Sequence, residues 1–217
     1  MKKVAAALVA LIPTAVMASD ISGLYYGIST GYATLEDKSV GFNDGEGWTA
    51  TTDPSGITLS LFSGYNWILN DKFTIGVEAS YDFRHANDTA YYFDEGTIDT
   101  DYPIRTTNIA TASLRTRLGY SISESTHAFL AAGLAAAKVK RVFFDYSDDD
   151  IERQTDWQLG WTAGLGLEHA YSQNISARLE YNYADYQSHK LNVAMWDEEY
   201  KQNLTESSLK VGLVYKF

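Results

Sequence analysis

The sequence contains no cysteine and only three prolines among its 217 residues. Without cysteine the chain has no disulfide framework, no thiolate metal site and no lipid-modified N-terminal cysteine. Basic residues are also few: 17 lysines and arginines stand against 28 acidic residues, and two of the 17 are Lys2 and Lys3. Such an acidic chain is a poor partner for nucleic acid, so we expect no nucleic-acid binding.

Long apolar runs are missing after the N-terminus. Residues 4–16 are apolar, follow the two lysines and precede the small residues around Ala18. This pattern predicts a signal peptide over residues 1–18 and a single mature domain over residues 19–217. The run is too short to cross about 30 Å of hydrocarbon as a helix. Because no later stretch is apolar enough for a transmembrane helix, a membrane location requires a closed barrel.

Apolar and polar residues alternate with a period of two along much of the chain, and long helical periodicity does not occur. Sixteen tyrosines and sixteen glycines suit a protein built from strands. In the clearest segment, residues 73–84, apolar Phe73, Ile75 and Val77 alternate with Thr74 and Gly76. The sequence predicts eight such strands, near residues 24–35, 57–67, 73–84, 109–120, 127–139, 157–169, 175–186 and 204–217. Short turns alternate with four long connections, residues 36–56, 85–105, 140–156 and 187–203.

These features predict an all-β fold, an eight-stranded antiparallel up-and-down transmembrane β-barrel with short periplasmic turns and long extracellular loops. A soluble periplasmic barrel of the lipocalin type is the alternative, with its apolar face inside. Three features favour lipid outside, and one of them is the predicted signal peptide. The polar face is rich in glycine, serine and alanine, which suits a narrow interior. Aromatic residues also gather near the short turns, as in an interfacial girdle: Trp67, Phe73, Tyr120, Tyr171, Tyr215 and Phe217.

Ten charged residues fall on the polar faces of the predicted strands and would point into the lumen. A charge in a low-dielectric interior is costly unless it is paired, so we predict a salt-bridged network that closes the lumen. A gated pore or a proton path is the alternative. The residues of this lumen charge network are Glu78, Asp82, Arg84, Arg115, Arg117, Glu168, Arg178, Glu180, Glu206 and Lys210.

The sequence contains few of the residue patterns that are typical of a catalytic site. The four histidines are His85, His127, His169 and His189, and none lies in a His-x-Ser arrangement. The His-Glu-x-x-His spacing of a metal site is absent as well. We therefore predict no catalysis, no cofactor and no metal site, with an enzyme acting on lipids as the least favoured alternative.

The long connections are acidic and aromatic. Because function is often carried by loops on a rigid scaffold, we take their aromatic residues as candidate contacts for a host or envelope ligand. The alternative is that they pack together above the membrane as extensions of the strands. Acidic residues there could also hold divalent cations against lipopolysaccharide phosphates, although residues 148–150 lack the glycine and terminal glutamate of an EF-hand loop. The candidate contacts are Tyr91, Tyr92, Phe93, Phe143, Phe144, Met195 and Trp196.

Two stretches resemble known proteins. The last strand resembles the C-terminal sorting signal of bacterial outer-membrane barrels through Lys210, Gly212, Tyr215 and Phe217. Residues 160–186, GWTAGLGLEHAYSQNISARLEYNYADY, resemble the penultimate hairpin of a family of porin-family, opacity-like and outer membrane protein A-like surface barrels.

The resemblance implies an integral surface protein in the outer membrane of a Gram-negative bacterium. The partners it implies are outer-membrane lipid and lipopolysaccharide, the barrel assembly machinery and a host or envelope ligand. We expect a non-enzymatic protein whose loops mediate surface interaction or envelope integrity. A small passive diffusion pore is the alternative.

Overall fold

The computed structural model describes residues 22–43, 46–94, 97–196 and 198–217. The predicted signal peptide, residues 1–18, lies outside these ranges. No helix in the described part of the chain is long and apolar enough to cross a bilayer. The strands are β1 (Gly23–Asn43), β2 (Glu46–Thr52), β3 (Ser55–Ile68), β4 (Phe73–Asp94), β5 (Thr97–Ser121), β6 (Thr126–Asp145), β7 (Asp150–Ala170), β8 (Ile175–Val193) and β9 (Glu198–Lys216).

The strands close into an antiparallel ring of eight. β3 to β9 pair in chain order, and β9 pairs with β1 to close the ring. β2 and β3 both pair with β1, one above the other, and act as a single barrel strand interrupted at Asp53 and Pro54. The backbone N–H of Leu35 donates to the carbonyl of Pro54 at 2.9 Å across that break. The predicted eight-stranded up-and-down barrel is confirmed.

The apolar face of the barrel is the outer one. Leu130 and Leu134 on β6 are 61% and 70% exposed, whereas Ala131 and Ala135, each the next residue along the strand, are buried. On this alanine-rich strand the leucines therefore face outward and the alanines that follow them face the lumen. An apolar exterior around a polar interior is the reverse of the lipocalin arrangement and matches a barrel surrounded by lipid.

The strands continue well beyond their predicted ends. β4 runs to Asp94 and β5 begins at Thr97, so most of the predicted loop over residues 85–105 is a paired hairpin. The other three long connections are likewise mostly strand. Register shifts between Phe83 and Ala86 and between Tyr186 and His189 interrupt the alternation where these extensions begin. Such bulges break the period of two, which explains why sequence reasoning ended the strands there.

Above the ring, the extensions separate into two facing sheets. The β7–β8 ladder ends at the Gly160–Tyr186 pair and the β3–β4 ladder at Thr58–Arg84. Beyond these points β8, β9, β1 and β2 form one four-stranded sheet, and β4, β5, β6 and β7 form the other. Apolar side chains from both sheets meet between them in a cluster that we call the cap: Ala50, Ile104, Phe143, Leu191, Val193 and Tyr200.

Candidate functional site

Glu78 is the centre of a buried ion-pair network near the end of the lumen that carries the short turns. Its carboxylate accepts from Arg115 at 2.5 Å, from Arg178 at 2.6 Å and from Arg117 at 3.3 Å. The hydroxyl of Tyr25 donates to it at 2.8 Å. These donors come from strands around the barrel, and they meet because inward-facing side chains alternate along every strand. One carboxylate therefore ties together several parts of the ring.

Two more glutamates complete this lower network. Glu168 lies 3.2 Å from Arg178 and 3.2 Å from Lys216, and Glu180 lies 2.6 Å from Arg115. Aromatic rings cover the guanidinium faces, with Arg178 4.2 Å above Phe62 and Arg117 4.0 Å above Phe129. Since these rings occupy the space beside the charges, the network is both paired and packed.

A second network lies above the first. Asp82 pairs with Lys210 and, at 3.1 Å, with Arg84. Arg84 also reaches Glu206 at 2.8 Å. The hydroxyl of Tyr186 donates to Glu206 at 3.0 Å. This upper network joins β4, β8 and β9 across the lumen.

The structure places all ten predicted lumen charges in the interior and divides them between these two networks. Sequence reasoning missed Lys216 and Tyr25 as members. Both face inward by alternation. Lys216 is the last residue of β9 and lies on the same face as Lys210, so the period of two carries the signal. It also missed a third charged layer, because the residues of that layer fall in segments predicted as loops.

The third layer is the bidentate pair of Arg141 and Asp37, with nitrogen–oxygen distances of 2.8 and 2.9 Å. Thr106 donates to the same carboxylate at 2.9 Å. An apolar layer separates this pair from the upper network, and the cap lies beyond it. The apolar layer consists of Leu35, Ala135, Ala137, Val139, Ala184, Tyr186 and Leu204.

Little space remains between these layers. Two interior cavities, one beside Glu168 and one beside Lys210, have volumes of about 20 Å³ each. A water molecule in the liquid occupies about 30 Å³, and a cavity of this size holds about one. In the described part of the chain, charged and apolar layers therefore occupy the lumen, and each of these two cavities has room for about one water molecule.

Several of the candidate loop contacts are packed into the cap or against it. Phe143 is 0% exposed, and Met195 and Trp196 are partly buried against the same cluster. The prediction that Phe143 offers a contact surface is wrong, because the ring packs between the two sheets. Phe144 is half-buried beneath Arg105, whereas Tyr91 is 48% exposed. The side chains of Tyr92 and Phe93 lie outside the described residues.

Polar contacts hold the β8–β9 turn against the β6–β7 turn. The indole of Trp196 donates to Asp145 at 3.0 Å, and the backbone N–H of Met195 donates to Glu152 at 3.0 Å. The Ser147 hydroxyl, together with the Trp196 indole, holds the pKa of Asp145 below its ordinary value. Asp145 therefore stays ionised and keeps accepting these bonds in mildly acidic surroundings.

Two histidines contact hydroxyl groups at the end of the barrel that carries the short turns. Nδ1 of His127 lies 3.1 Å from the Ser121 hydroxyl, and Nδ1 of His169 lies 2.9 Å from that of Thr126. The search for His-x-Ser missed the first pair because the hairpin, and not local spacing, brings the residues together. Nε2 of His127 has no hydrogen-bond partner among the described residues. In a nucleophile–base pair the base is usually oriented by a third group, and the described residues place none at this nitrogen.

The residues of the predicted assembly signal have distinct places. Lys210 belongs to the upper network, and Gly212 faces β1 so closely that a Cβ would lie 2.7 Å from the carbonyl oxygen of Ile28. The rings of Tyr215 and Phe217 pack on Tyr26, with centroids 5.5 and 5.3 Å apart. The final strand thus contributes aromatic contacts to the seam that closes the barrel.

Deletion of Phe217 should reduce the amount of assembled barrel in the membrane and leave export unchanged. The deletion removes the contact with Tyr26 and the backbone hydrogen bond of 3.2 Å to Leu24 at the closing seam. Quantifying folded and total protein in membrane fractions checks this. Phe73→Ala removes another exposed aromatic at the same end, away from the seam, and should assemble normally. Normal membrane levels of the Phe217 deletion would contradict the assembly role.

Comparisons with known proteins agree with this architecture. Residues 4–217 match the family model described as outer membrane protein beta-barrel domain. A 31 kDa outer-membrane immunogenic protein of Brucella melitensis is 30% identical over 218 residues, covering 94% of this chain and 88% of the relative. A 25 kDa outer-membrane immunogenic protein of Brucella canis is 26% identical over 202 residues, covering 92% and 79%. The crystal structure of the outer membrane protein OprG from Pseudomonas aeruginosa shares the fold, with a TM-score of 0.60 and 17% identity over 93% of this chain and 99% of that one.

Proposed function

Because this chain belongs to the family of outer membrane protein β-barrel domains, we propose that it is a closed, non-enzymatic surface protein of the outer membrane. In this proposal the barrel anchors and supports the two-sheet extension outside the membrane. The extension then mediates surface interaction or contributes to envelope integrity. Transport through the barrel is not part of the role.

The filling of the lumen is the observation that carries this proposal. A pore of even modest conductance needs a continuous water path, and here two ion-pair networks, an apolar layer, the Arg141–Asp37 pair and the cap follow one another along the axis. An eight-stranded barrel is about wide enough for its own side chains to fill. The network thus acts as the packed core of the barrel.

The surface role draws support from the relatives and from the shape of the extension. The Brucella relatives carry the name outer-membrane immunogenic protein, which is the behaviour of a protein displayed at the cell surface. The extension has its own apolar core, so its turns are held on a rigid base. Rigid presentation lowers the entropy cost of binding a partner. Exposed side chains such as Tyr91 and Tyr146 are available for such contacts.

Reconstitution into planar bilayers tests the closed lumen. We expect no steady single-channel conductance from the purified barrel, because paired charges and apolar side chains occupy the lumen and the two cavities beside Glu168 and Lys210 each hold only about one water molecule. An open porin reconstituted in the same bilayers serves as the positive control. Steady, reproducible openings of the unmodified chain would favour the passive diffusion pore and overturn this proposal.

A further inference from the structure

The outward face of the β4–β7 sheet carries a concentration of positive charge that is unusual for an acidic chain. At the foot of the extension the outward positions of β5, β6 and β7 hold four cations, and His85 on β4 lies beside them. The described ion pairs include none of the four, and no carboxylate occupies an outward position in the same rows of the sheet. These cations are Arg105, Lys138, Lys140 and Arg153.

Three of the cations surround a single valine. Val142 on β6 is paired with Arg105 on one side and with Arg153 on the other. Lys140 is two residues along β6, which makes it the diagonal neighbour of both arginines, roughly 7–8 Å from each. The three long side chains cover Val142, which is only 6% exposed. This arrangement directs three positive groups towards one small area of the surface.

That area forms a pocket, and part of its lining is held in place. The pocket has a volume of about 330 Å³ and includes His85, Asn87 and Phe144 in addition to the three cations. Nε of Arg105 donates to the hydroxyl of Thr89 at 3.2 Å, and its guanidinium lies 5.5 Å from the centre of the Phe144 ring. A guanidinium positioned in this way loses less conformational freedom when it binds an anion.

The pocket lies where the lipid-facing belt ends. On β4 the exposed Phe83 is followed on the same face by His85. On β7 the exposed Trp157 lies four residues below Arg153 on the same face. Lys138 bridges the two zones, with its ammonium 5.9 Å from the centre of the Trp157 ring. Exposed aromatic rings mark the boundary of the hydrocarbon, so the cations lie at the level of the lipid head groups.

We propose that Arg105, Lys140 and Arg153 form a binding site for the phosphate groups on the head group of a phosphorylated glycolipid in the outer leaflet. Guanidinium and ammonium groups are the side chains that recognise phosphate, through charge-assisted hydrogen bonds. A soluble anion could approach any exposed cation, whereas a lipid phosphate is confined to the depth at which these three converge. The site lies on the outside of the barrel and does not depend on whether the lumen is closed.

Binding of a lipid A-type glycolipid to the full barrel in detergent micelles tests the proposal. The variant Arg105→Gln/Lys140→Gln/Arg153→Gln removes the three charges and keeps side chains of similar polarity. We expect its affinity for the phosphorylated glycolipid to fall by at least about tenfold, because each basic group near a lipid surface contributes appreciably to binding. The dephosphorylated glycolipid should bind the unmodified barrel no better than the phosphorylated form binds this variant.

A matched control removes three cations from the outward face of the other sheet. Lys38→Gln/Lys190→Gln/Lys201→Gln lowers the net charge by the same amount and should leave the affinity within about twofold of the unmodified barrel. An equal loss in this control would show that only overall charge matters and would overturn the site. Unchanged binding by the Arg105, Lys140 and Arg153 variant would overturn it as well. Displacement of the glycolipid by equimolar inorganic pyrophosphate would identify a site for free anions and contradict the assignment to lipid.

Discussion

Replacement of Glu78 by glutamine should lower the free energy of unfolding of the barrel by about 3–5 kcal/mol, because it leaves buried cations without their shared partner. Glu78 receives hydrogen bonds from Arg115, Arg117 and Arg178, and it is buried almost completely. Glutamine keeps the shape of the side chain but presents one oxygen and a donor to three guanidinium groups. Urea unfolding in lipid vesicles, followed by tryptophan fluorescence, measures the change.

The exposed pair of Lys190 and Glu199 provides the matched control. The same chemical change, Glu199→Gln, breaks a 2.5 Å ion pair whose side chains are 71% and 61% exposed. Exposed pairs contribute at most about 1 kcal/mol, so this variant should unfold nearly as the parent does. Equal effects of the two substitutions would mean that the lumen network does not stabilise the barrel.

A double variant separates the contribution of the ion pair to stability from the effect of changing the shapes of the two side chains. Arg178→Gln alone leaves Glu78, Glu168 and Glu180 without one of their cations. In the Glu78→Gln/Arg178→Gln variant the two removed charges offset each other. Its destabilisation should therefore be smaller than the sum of the single effects by up to about 3 kcal/mol. Strict additivity would indicate that the two side chains act independently.

Much of the lumen could be predicted from the sequence because alternation is a local property. Each predicted strand shows its inward face without reference to its neighbours, and that face contained all ten charges of the two networks. Pairing within the networks could not be predicted in the same way. Whether Arg178 meets Glu78, 100 residues away, depends on the tilt and register of the closed ring, which no single strand encodes.

The strands of the extension are harder to predict, because apolar and polar residues do not alternate regularly along them. Val142 and Phe143 are consecutive and both buried, one beneath outward-facing cations and the other in the cap. In the barrel such a pair would violate the alternation of inward and outward residues, so sequence reasoning predicts a loop for this segment. The two-sheet arrangement buries residues on both faces, and strands buried on both faces read as continuous apolar runs. The Arg141–Asp37 pair was missed for the same reason.

The cationic pocket shows a further limit of sequence reasoning. Arg105, Lys140 and Arg153 are separated by 35 and 13 positions and form no basic run in the sequence. Only the pairing of β5 with β6 and of β6 with β7 brings them around Val142. The acidic composition predicts no nucleic-acid binding and gives no sign of a local group of cations. A concentration of one charge on one face becomes visible only when the register is known.

Replacement of Gly31 by alanine should destabilise the seam that closes the barrel. Gly31 pairs with Lys210 between β1 and β9. A Cβ at this position would lie 2.1 Å from the carbonyl oxygen of Leu209 and 2.8 Å from the Cα of Lys210. Both are backbone atoms, so no side-chain rotation can relieve the overlap, and β9 itself must move. We expect a loss of about 3 kcal/mol, the upper end for an overpacked site.

Gly56→Ala is the matched control, since it makes the same change on the other neighbour of β1. There the nearest atom to an added Cβ is the Cβ of Ala86 at 3.4 Å, an ordinary contact. Its unfolding free energy should stay within about 0.5 kcal/mol of the parent, as at other tolerant sites.

Because Lys210 also pairs with Asp82, a displaced β9 should in addition weaken the upper network. The Gly31→Ala variant should therefore lose part of the stabilisation that Lys210 provides, so that Lys210→Gln costs less in that background than in the parent. Equal costs in the two backgrounds would show that the seam and the network are not coupled through the closing strand.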